Sequence, residues 1–290
     1  MYLKPLVTML SSDCRPVFIL IICLKNYQMQ TSRYFPCETL ALTTLILMTQ
    51  RKNGVAVTNV PAYSPSAIAE FSVTQLLQLL RNQNLFRKRM VNQDYRWAPF
   101  VGKELGKMTV GVMGTGRIGR AAIQIYKGFG AKVIAYDPFH NPELEKEGIY
   151  VEKEDLLKQA DVITLHMPAT DDDYHFINEK TTMMKDGAYI VNTARGALID
   201  TPALIEALRS GKLAGAALDT YENEASIFNH DLEGQEIEDE TFKELIKLDN
   251  VVVSPHIAFY TNVAVENMVK ISLNSAKEVI ETGTSSTLVK

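Results

Sequence analysis

Met108-Thr-Val-Gly-Val-Met-Gly-Thr-Gly-Arg-Ile-Gly119 is an apolar run that enters a G-x-G-x-x-G turn. Residues 117–129 then follow the spacing of an amphipathic helix, and a second β-rich run, 132–136, ends on Asp137, eighteen residues after Gly119. Each residue type has a mechanical reason. Gly114 permits a tight turn, Gly116 lets the backbone approach a pyrophosphate, and Gly119 lets the helix pack close to its strand. The helix N-terminus offers unpaired N–H groups and the positive end of a dipole to the phosphates. Asp137 stands where it would accept hydrogen bonds from the two hydroxyls of a ribose, and its charge repels a 2′-phosphate. Pro138, Phe139 and His140 follow it and supply no Arg or Lys to offset that repulsion. The unit reads as a dinucleotide site, for NAD ahead of NADP.

Further along, apolar runs at 162–165, 188–191, 215–218 and 251–253 join those at 110–113 and 133–136, and helical patterns separate them. Such alternation predicts an α/β protein with a doubly wound, Rossmann-type parallel sheet and helices on both faces. Upstream, residues 55–59 read as a short strand. Ser64 with Pro65 behind it is a favoured helix start, and Val73, Leu76, Leu77 and Leu80 mark one buried face. A link through Trp97-Ala-Pro-Phe100 leads to the nucleotide-binding unit. After His256, residues 262–281 read as one more amphipathic helix, stopped by Gly283. Residues 225–240 form an acidic insertion, expected as a surface loop.

The 290 residues suffice for two domains. A net charge of −4 gives no electrostatic reason to expect nucleic acid or an anionic membrane as partner. The longest strongly apolar run, 17–24, is too short to span a bilayer and is followed by no convincing cleavage site, so a cytoplasmic protein is expected. Cys14, Cys23 and Cys37 fit neither a zinc site nor a C-x-x-C redox pair, and they read as incidental thiols; no metal site is expected.

Three segments after the nucleotide turn end predicted strands with polar groups: Asn192-Thr-Ala-Arg-Gly-Ala197, Asp219-Thr-Tyr-Glu-Asn-Glu224 and Ser254-Pro-His-Ile-Ala-Phe259. In doubly wound folds ligands bind beyond the carboxyl ends of the strands, so all three can face one crevice. Hydride transfer to a 2-keto acid needs a carboxylate clamp, a polariser for the carbonyl and a proton donor. Arg195 suits the first two tasks, being permanently charged and able to pair bidentately. His256 suits the third, since imidazole titrates near neutral pH, and a carboxylate such as Glu224 beside an imidazole favours the protonated form. Each residue also has a plain structural reading, as a surface ion-pair partner, a solvated acid or a structural histidine. His140, His166, His175 and His230 are read that way.

Taken together, Gly111-Val-Met-Gly-Thr-Gly-Arg-Ile-Gly119, Asn192-Thr-Ala-Arg-Gly196, Ala217-Leu-Asp-Thr-Tyr-Glu-Asn-Glu224 and Ser254-Pro-His-Ile-Ala-Phe-Tyr260 resemble successive signatures of the D-isomer-specific 2-hydroxyacid dehydrogenases, most closely the fermentative D-lactate dehydrogenases of lactic-acid bacteria. Asn59-Val-Pro-Ala-Tyr-Ser-Pro-Ser-Ala-Ile-Ala-Glu70 is similar to the segment opening that family's first interdomain helix. The resemblance runs from about residue 54 to the C-terminus. It implies reduction of pyruvate by NADH, with Arg195 binding substrate, His256 as acid/base and Glu224 supporting His256. Beside Gly114, Gly116 and Gly119, it implies that Arg117, Ile118, Asp137, Met167, Pro168, Thr193, Ala194 and Asp219 line the cofactor site. Asp219 would bond the nicotinamide carboxamide, and Tyr63 and Phe259 would lie near the substrate. Asp173 stands where these enzymes often carry Asn as a cofactor contact and is left out of the set. The resemblance further implies a homodimer, paired through the nucleotide domains and the helix beginning at Ser64.

The departure lies upstream. Residues 1–53 hold none of the chain's 16 glycines, and six basic residues (Lys4, Arg15, Lys25, Arg33, Arg51, Lys52) stand there against two acids (Asp13, Glu38). That balance of +4 leaves −8 for the other 237 residues. The family has a flavodoxin-like substrate domain before its first long helix, and this chain is several dozen residues short there. Where an Arg-x-x-Gly-x-Asp-like turn would supply N–H groups to the substrate carboxylate, the chain reads Glu38-Thr-Leu-Ala-Leu-Thr-Thr-Leu-Ile-Leu-Met-Thr-Gln50, with no glycine. Arg33 does not restore it. The expected organisation is therefore a divergent segment 1–53 without a clean strand-turn-helix rhythm, remaining substrate-domain and interdomain helices in 54–98 and 262–290, and an NAD-binding domain in 99–261. An altered reading frame or a truncated gene model would explain the missing glycines, the scarce acids and the clustered cysteines together; a divergent but folded α/β segment is the alternative. Two further functional readings stand beside D-lactate dehydrogenase: a dehydrogenase for bulkier 2-keto acids such as 2-ketoisocaproate, and a non-catalytic NAD-binding remnant.

Overall fold

The computed structural model describes residues 6–12, 15–23, 55–178 and 183–289. Arg33, the stretch 38–50, Cys14 and Cys37 lie outside the described residues. Contacts divide the chain into two units, Met1–Ser64 with Phe259–Lys290, and Pro65–Ala258. In the smaller unit, β1 (Leu6–Ser12), β2 (Arg15–Cys23) and β3 (Val55–Thr58) form a sheet of order β1-β2-β3 in which both pairings are antiparallel. This corrects the expectation of no regular rhythm before residue 53. The β-branched Val17, Ile19, Ile21 and Ile22 favour extended backbone, and pairing with a neighbouring strand completes it. The flavodoxin-like sheet that the resemblance implies is parallel, and these antiparallel pairings differ from it. Thr58 bridges to Leu288, and the Asn59 N–H donates to the Thr287 carbonyl at 3.0 Å. The C-terminal helix Asn262–Thr282 is capped by Thr261, whose hydroxyl accepts from the Ala264 N–H, and it ends at Gly283 with φ 76°.

The larger unit begins with α1 (Pro65–Leu80) and α2 (Gln83–Val91). There follow β4 (Thr109–Met113), α3 (Arg117–Gly128), β5 (Lys132–Tyr136), α4 (Pro142–Lys146), α5 (Lys153–Gln159) and β6 (Val162–Leu165). The unit continues through β7 (Ala188–Asn192), α6 (Thr201–Arg209), β8 (Leu213–Leu218), α7 (Glu240–Lys247) and β9 (Val251–Val253). All six strands lie parallel in the order β5-β4-β6-β7-β8-β9. The strand order reverses between β4 and β6, which opens a crevice at their carboxyl ends. Each of the six apolar runs read from the sequence is one of these strands.

The strands are apolar throughout because both faces of the sheet are covered. Successive residues point to opposite faces, and the buried clusters separate accordingly. Val110 and Val112 of β4, Val162 of β6, Val191 of β7, Ala217 of β8 and Val252 of β9 pack with Val73, Leu76 and Leu80 of α1 and with Ile123 and Tyr126 of α3. Met113, Ile163, Leu165, Ile190, Leu218 and Val251 pack on the other side with Leu156 of α5, Leu204 and Leu208 of α6 and Leu245 of α7. Helix α1 therefore groups with the nucleotide-binding sheet, whereas the sequence grouped it with 54–98. Its buried face is also wider than the sequence indicated: Leu77 is only half-buried, while Gln75 and Leu79 are buried. Residues 225–240 carry no buried position, as expected of a surface loop. Among the described residues no helix is long and apolar enough to cross a membrane.

His166 follows β6 and ties stability to pH. Its Nε2 shares a 2.9 Å hydrogen bond with the Thr164 hydroxyl, and its Nδ1 is buried without a partner among the described residues. Burial lowers its pKa from 6.5 to about 4, so the fold holds the ring neutral. The unfolded chain binds a proton near pH 6.5 and the folded chain only near pH 4, so stability is complete above the higher value and falls as pH drops between the two. The loss should be roughly 3 kcal/mol by about pH 4. His166→Asn keeps a partner for Thr164 and cannot titrate in this range. Its urea midpoint should fall less than that of the native chain between about pH 7.5 and pH 5; parallel falls would remove His166 from the account.

Candidate active site

The turn after β4 is built on two close approaches. Gly114 has φ 91°, and a Cβ there would meet the His166 carbonyl oxygen at 2.7 Å. A Cβ at Gly119 would lie 1.9 Å from the Gly114 carbonyl oxygen, so the first turn of α3 sits directly on the loop. Gly116 differs: it is exposed, and a Cβ there would meet nothing within 4 Å. No atom of the described residues demands that glycine, which leaves space for a ligand at the helix N-terminus. Arg117 is exposed and Ile118 half-buried on the first turn of α3. At the end of β5, Asp137 is held by the Thr115 N–H at 2.6 Å, the Thr115 hydroxyl at 3.1 Å and the Phe139 N–H at 2.8 Å. Those bonds orient the carboxylate and leave acceptor capacity on Oδ1. After β6, Met167 is half-buried and Pro168 exposed.

Beyond β7, Asn192 shapes the turn that carries Arg195. Its Oδ1 accepts from the Ala194 N–H at 3.0 Å, and its Nδ2 donates to the Arg195 carbonyl at 2.8 Å. Thr193 and Ala194 are buried in that turn, and the Thr193 hydroxyl oxygen has no partner among the described residues. Gly196 approaches the next loop so closely that a Cβ would lie 2.2 Å from the Tyr221 carbonyl carbon. The Arg195 turn and the Glu224 loop are thereby fixed against each other. Glu224, buried, accepts from the Tyr221 N–H at 2.9 Å and from His256 Nδ1 at 2.7 Å. With Nδ1–H committed to Glu224, the other ring nitrogen is the one turned to chemistry.

Asp219 is fully buried. Its carboxylate accepts from the Ser254 hydroxyl, from the Ile257 N–H at 2.9 Å and from the Ala258 N–H at 2.8 Å. Burial pushes its pKa up, while the donors from Ser254, Ala258 and Ile257 and the charge of His256 act against that. Three of its acceptor positions are used within the chain, so at most one remains for the carboxamide contact the resemblance implies. In the smaller unit Tyr63 and Phe259 meet edge to face, ring centres 6.2 Å apart, and the Asn267 amide donates to the Tyr63 carbonyl at 2.7 Å.

Residues 73–258 match the model of the D-isomer specific 2-hydroxyacid dehydrogenase family, NAD binding domain. The chain belongs to this family. A D-lactate dehydrogenase of Lactiplantibacillus plantarum is 62% identical over 244 residues, which cover 83% of this chain and 74% of that one. Among solved structures, a D-lactate dehydrogenase from Treponema pallidum aligns with TM-score 0.79 at 43% identity, over 84% of this chain and 74% of its own. A D-2-hydroxyisocaproate dehydrogenase aligns with TM-score 0.77 at 48% identity, over the same shares. In this D-2-hydroxyacid dehydrogenase the cofactor is NAD, and the residues fit it: an open space at Gly116, an oriented acid at Asp137 and a buried hydroxyl at Thr193 without a partner among the described residues.

Reading the sequence missed four contributors: Thr115, which orients Asp137; Asn192, which shapes the Arg195 turn; and Gln75 and Ser254, which lie behind Asp219. Thr115, Asn192 and Ser254 stand inside the motifs already singled out. Gln75 had one signal only, a polar residue on the apolar face of α1. The two glycines give opposite expectations for the family member's folding and binding. Gly116→Ala should keep the melting temperature of the native chain and weaken NADH binding about tenfold or more, because the new methyl enters ligand space. Gly119→Ala should lower the melting temperature itself, because its methyl meets backbone. Fluorescence titration with NADH and a melting curve on each variant separate the two, and equal behaviour would refute the distinction.

Proposed function

We propose that this chain reduces pyruvate to D-lactate with NADH. The observation that carries the proposal is the Glu224–His256 pair at the carboxyl ends of β8 and β9, with the Arg195 turn packed against the loop that bears Glu224. In this reading Gly114, Gly116, Arg117, Ile118, Gly119, Asp137, Met167, Pro168, Thr193, Ala194 and Asp219 hold NAD, which when bound supplies the hydride. Arg195 binds the substrate carboxylate and polarises its carbonyl. His256, with one nitrogen on Glu224, delivers the proton to the carbonyl oxygen from the other. Tyr63 and Phe259 line the substrate side. Residues 99–261 serve the nucleotide together with helix α1, and the rest of 54–98 with 262–290 supplies what remains of the substrate domain and the interdomain helices.

Preference for a bulkier 2-keto acid is a second reading, favoured by the likeness to a D-2-hydroxyisocaproate dehydrogenase. A panel of 2-keto acids decides between the two: pyruvate should turn over faster than 2-ketoisocaproate, and the reverse order overturns the lactate assignment. A non-catalytic remnant is the third reading, favoured by the glycine-free stretch 38–50, and it predicts NADH binding with no turnover of any acid. In an active native chain, His256→Gln should cut kcat by about a hundredfold or more while NADH affinity stays within twofold. Survival of most of the activity would remove His256 from the mechanism.

The proposal includes a cytoplasmic homodimer. Met90, Val91, Tyr95, Trp97 and Val101 leave large apolar side chains exposed along one short stretch, which supports burial against a second copy. Trp97→Arg should then convert a dimer to a monomer at micromolar concentration in sedimentation. A native chain that sediments as a monomer defeats the pairing.

A further inference from the structure

We propose that Gln75 is a positioning residue for His256, acting through the hydroxyl of Ser254 and the carboxylate of Asp219. The inference rests on the reading of His256 as proton donor. Gln75 lies on α1, 1% exposed, among Val73, Leu76 and Leu79 of the same buried face. A polar side chain is stable there only when it is hydrogen-bonded. Its Nε2 donates to Ser254 Oγ at 2.6 Å, and Ser254 Oγ donates in turn to Asp219 Oδ1. A hydroxyl has one proton. With Gln75 supplying a donor to the oxygen, that proton is free to go to Asp219. Were the amide reversed, Ser254 would face two acceptors with a single proton. The orientation leaves Gln75 Oε1 buried without a partner among the described residues, so the bond to Ser254 is what the amide is arranged to make.

Asp219 passes the constraint on. The Ser254 hydroxyl and the Ile257 N–H converge on Oδ1, and the Ala258 N–H bonds Oδ2, so the loop is tied to the carboxylate on both sides of His256. His256 itself has φ 56°, a left-handed backbone that a residue with a Cβ keeps only when its surroundings hold it. Its N–H donates to the Ser254 carbonyl at 3.0 Å. A donor on α1 thus helps to set the loop from which the imidazole reaches Glu224. Hydrogen bonds in such a chain strengthen one another, and removing the first weakens those behind it.

A double-mutant cycle with Gln75→Leu and Ser254→Ala tests this. In the native background Gln75→Leu should lower kcat for pyruvate about tenfold and speed hydrogen exchange of the Ile257 and Ala258 amides about tenfold. In the Ser254→Ala background the same change should move neither quantity by more than about twofold, because the path is already cut. Equal effects in both backgrounds, or a kcat or an exchange rate that Gln75→Leu leaves unchanged in an active native chain, would overturn the proposal. Gln75→Met, of similar length and without the amide, serves if the leucine variant does not fold. Failure of both to fold assigns Gln75 to stability alone and also overturns it. A native chain that turns over no 2-keto acid would defeat the proposed function instead, and amide exchange across the cycle would still decide the relay.

Discussion

A carboxylate buried without solvent, that of Asp219, organises the catalytic end of the larger unit. It gathers the Ser254 hydroxyl and two backbone N–H groups from the far side of His256. An ionised group in such a place is stable only when donors replace the water it has lost. The loop 254–258 therefore cannot move away from the end of β8 without leaving a buried charge unpaired. That requirement holds His256 in a left-handed backbone and presents its Nδ1 to Glu224. The geometry of the pair follows from the electrostatics of a residue that stands outside it.

The parallel sheet makes such an arrangement possible. Because every strand of the larger unit runs the same way, all their carboxyl ends lie on one edge, and the loops after β4, β5, β6, β7, β8 and β9 share it. Close backbone approaches then fix those loops against each other. Gly119 rests on Gly114, and Gly196 rests on Tyr221 and Glu222. These glycines act through their lack of a side chain. Gly116 is of another kind, since nothing among the described residues would meet a side chain there.

The sheet was legible in the sequence because strands buried on both faces must be continuous apolar runs, and six such runs stood between helical patterns. The nucleotide turn was legible because a tight turn, a phosphate approach and a helix packed on its strand each demand glycine at a set offset. Arg195, Glu224 and His256 were singled out by residue type at strand ends and by resemblance to a family. The pairing of β1 with β2 was not legible. Their residues show apolar patches with no glycine between them, and pairing depends on a partner strand more than on intrinsic preference. The helix from Pro65 was found from its cap and its spacing, but the unit it joins was misjudged, since period alone does not say which surface covers a face.

By itself the sequence determined the period of each element, the glycine positions, and the chemistry available at the ends of the strands. These are local properties, set by backbone sterics and by side-chain type within a few residues. The tertiary structure alone decided which of those groups meet. Glu224 and His256 are 32 residues apart in the chain, and Gln75 and Ser254 are 179 apart. No local rule encodes such pairs. They arise when the sheet closes and a buried polar atom must find its partner among the few that packing brings within reach.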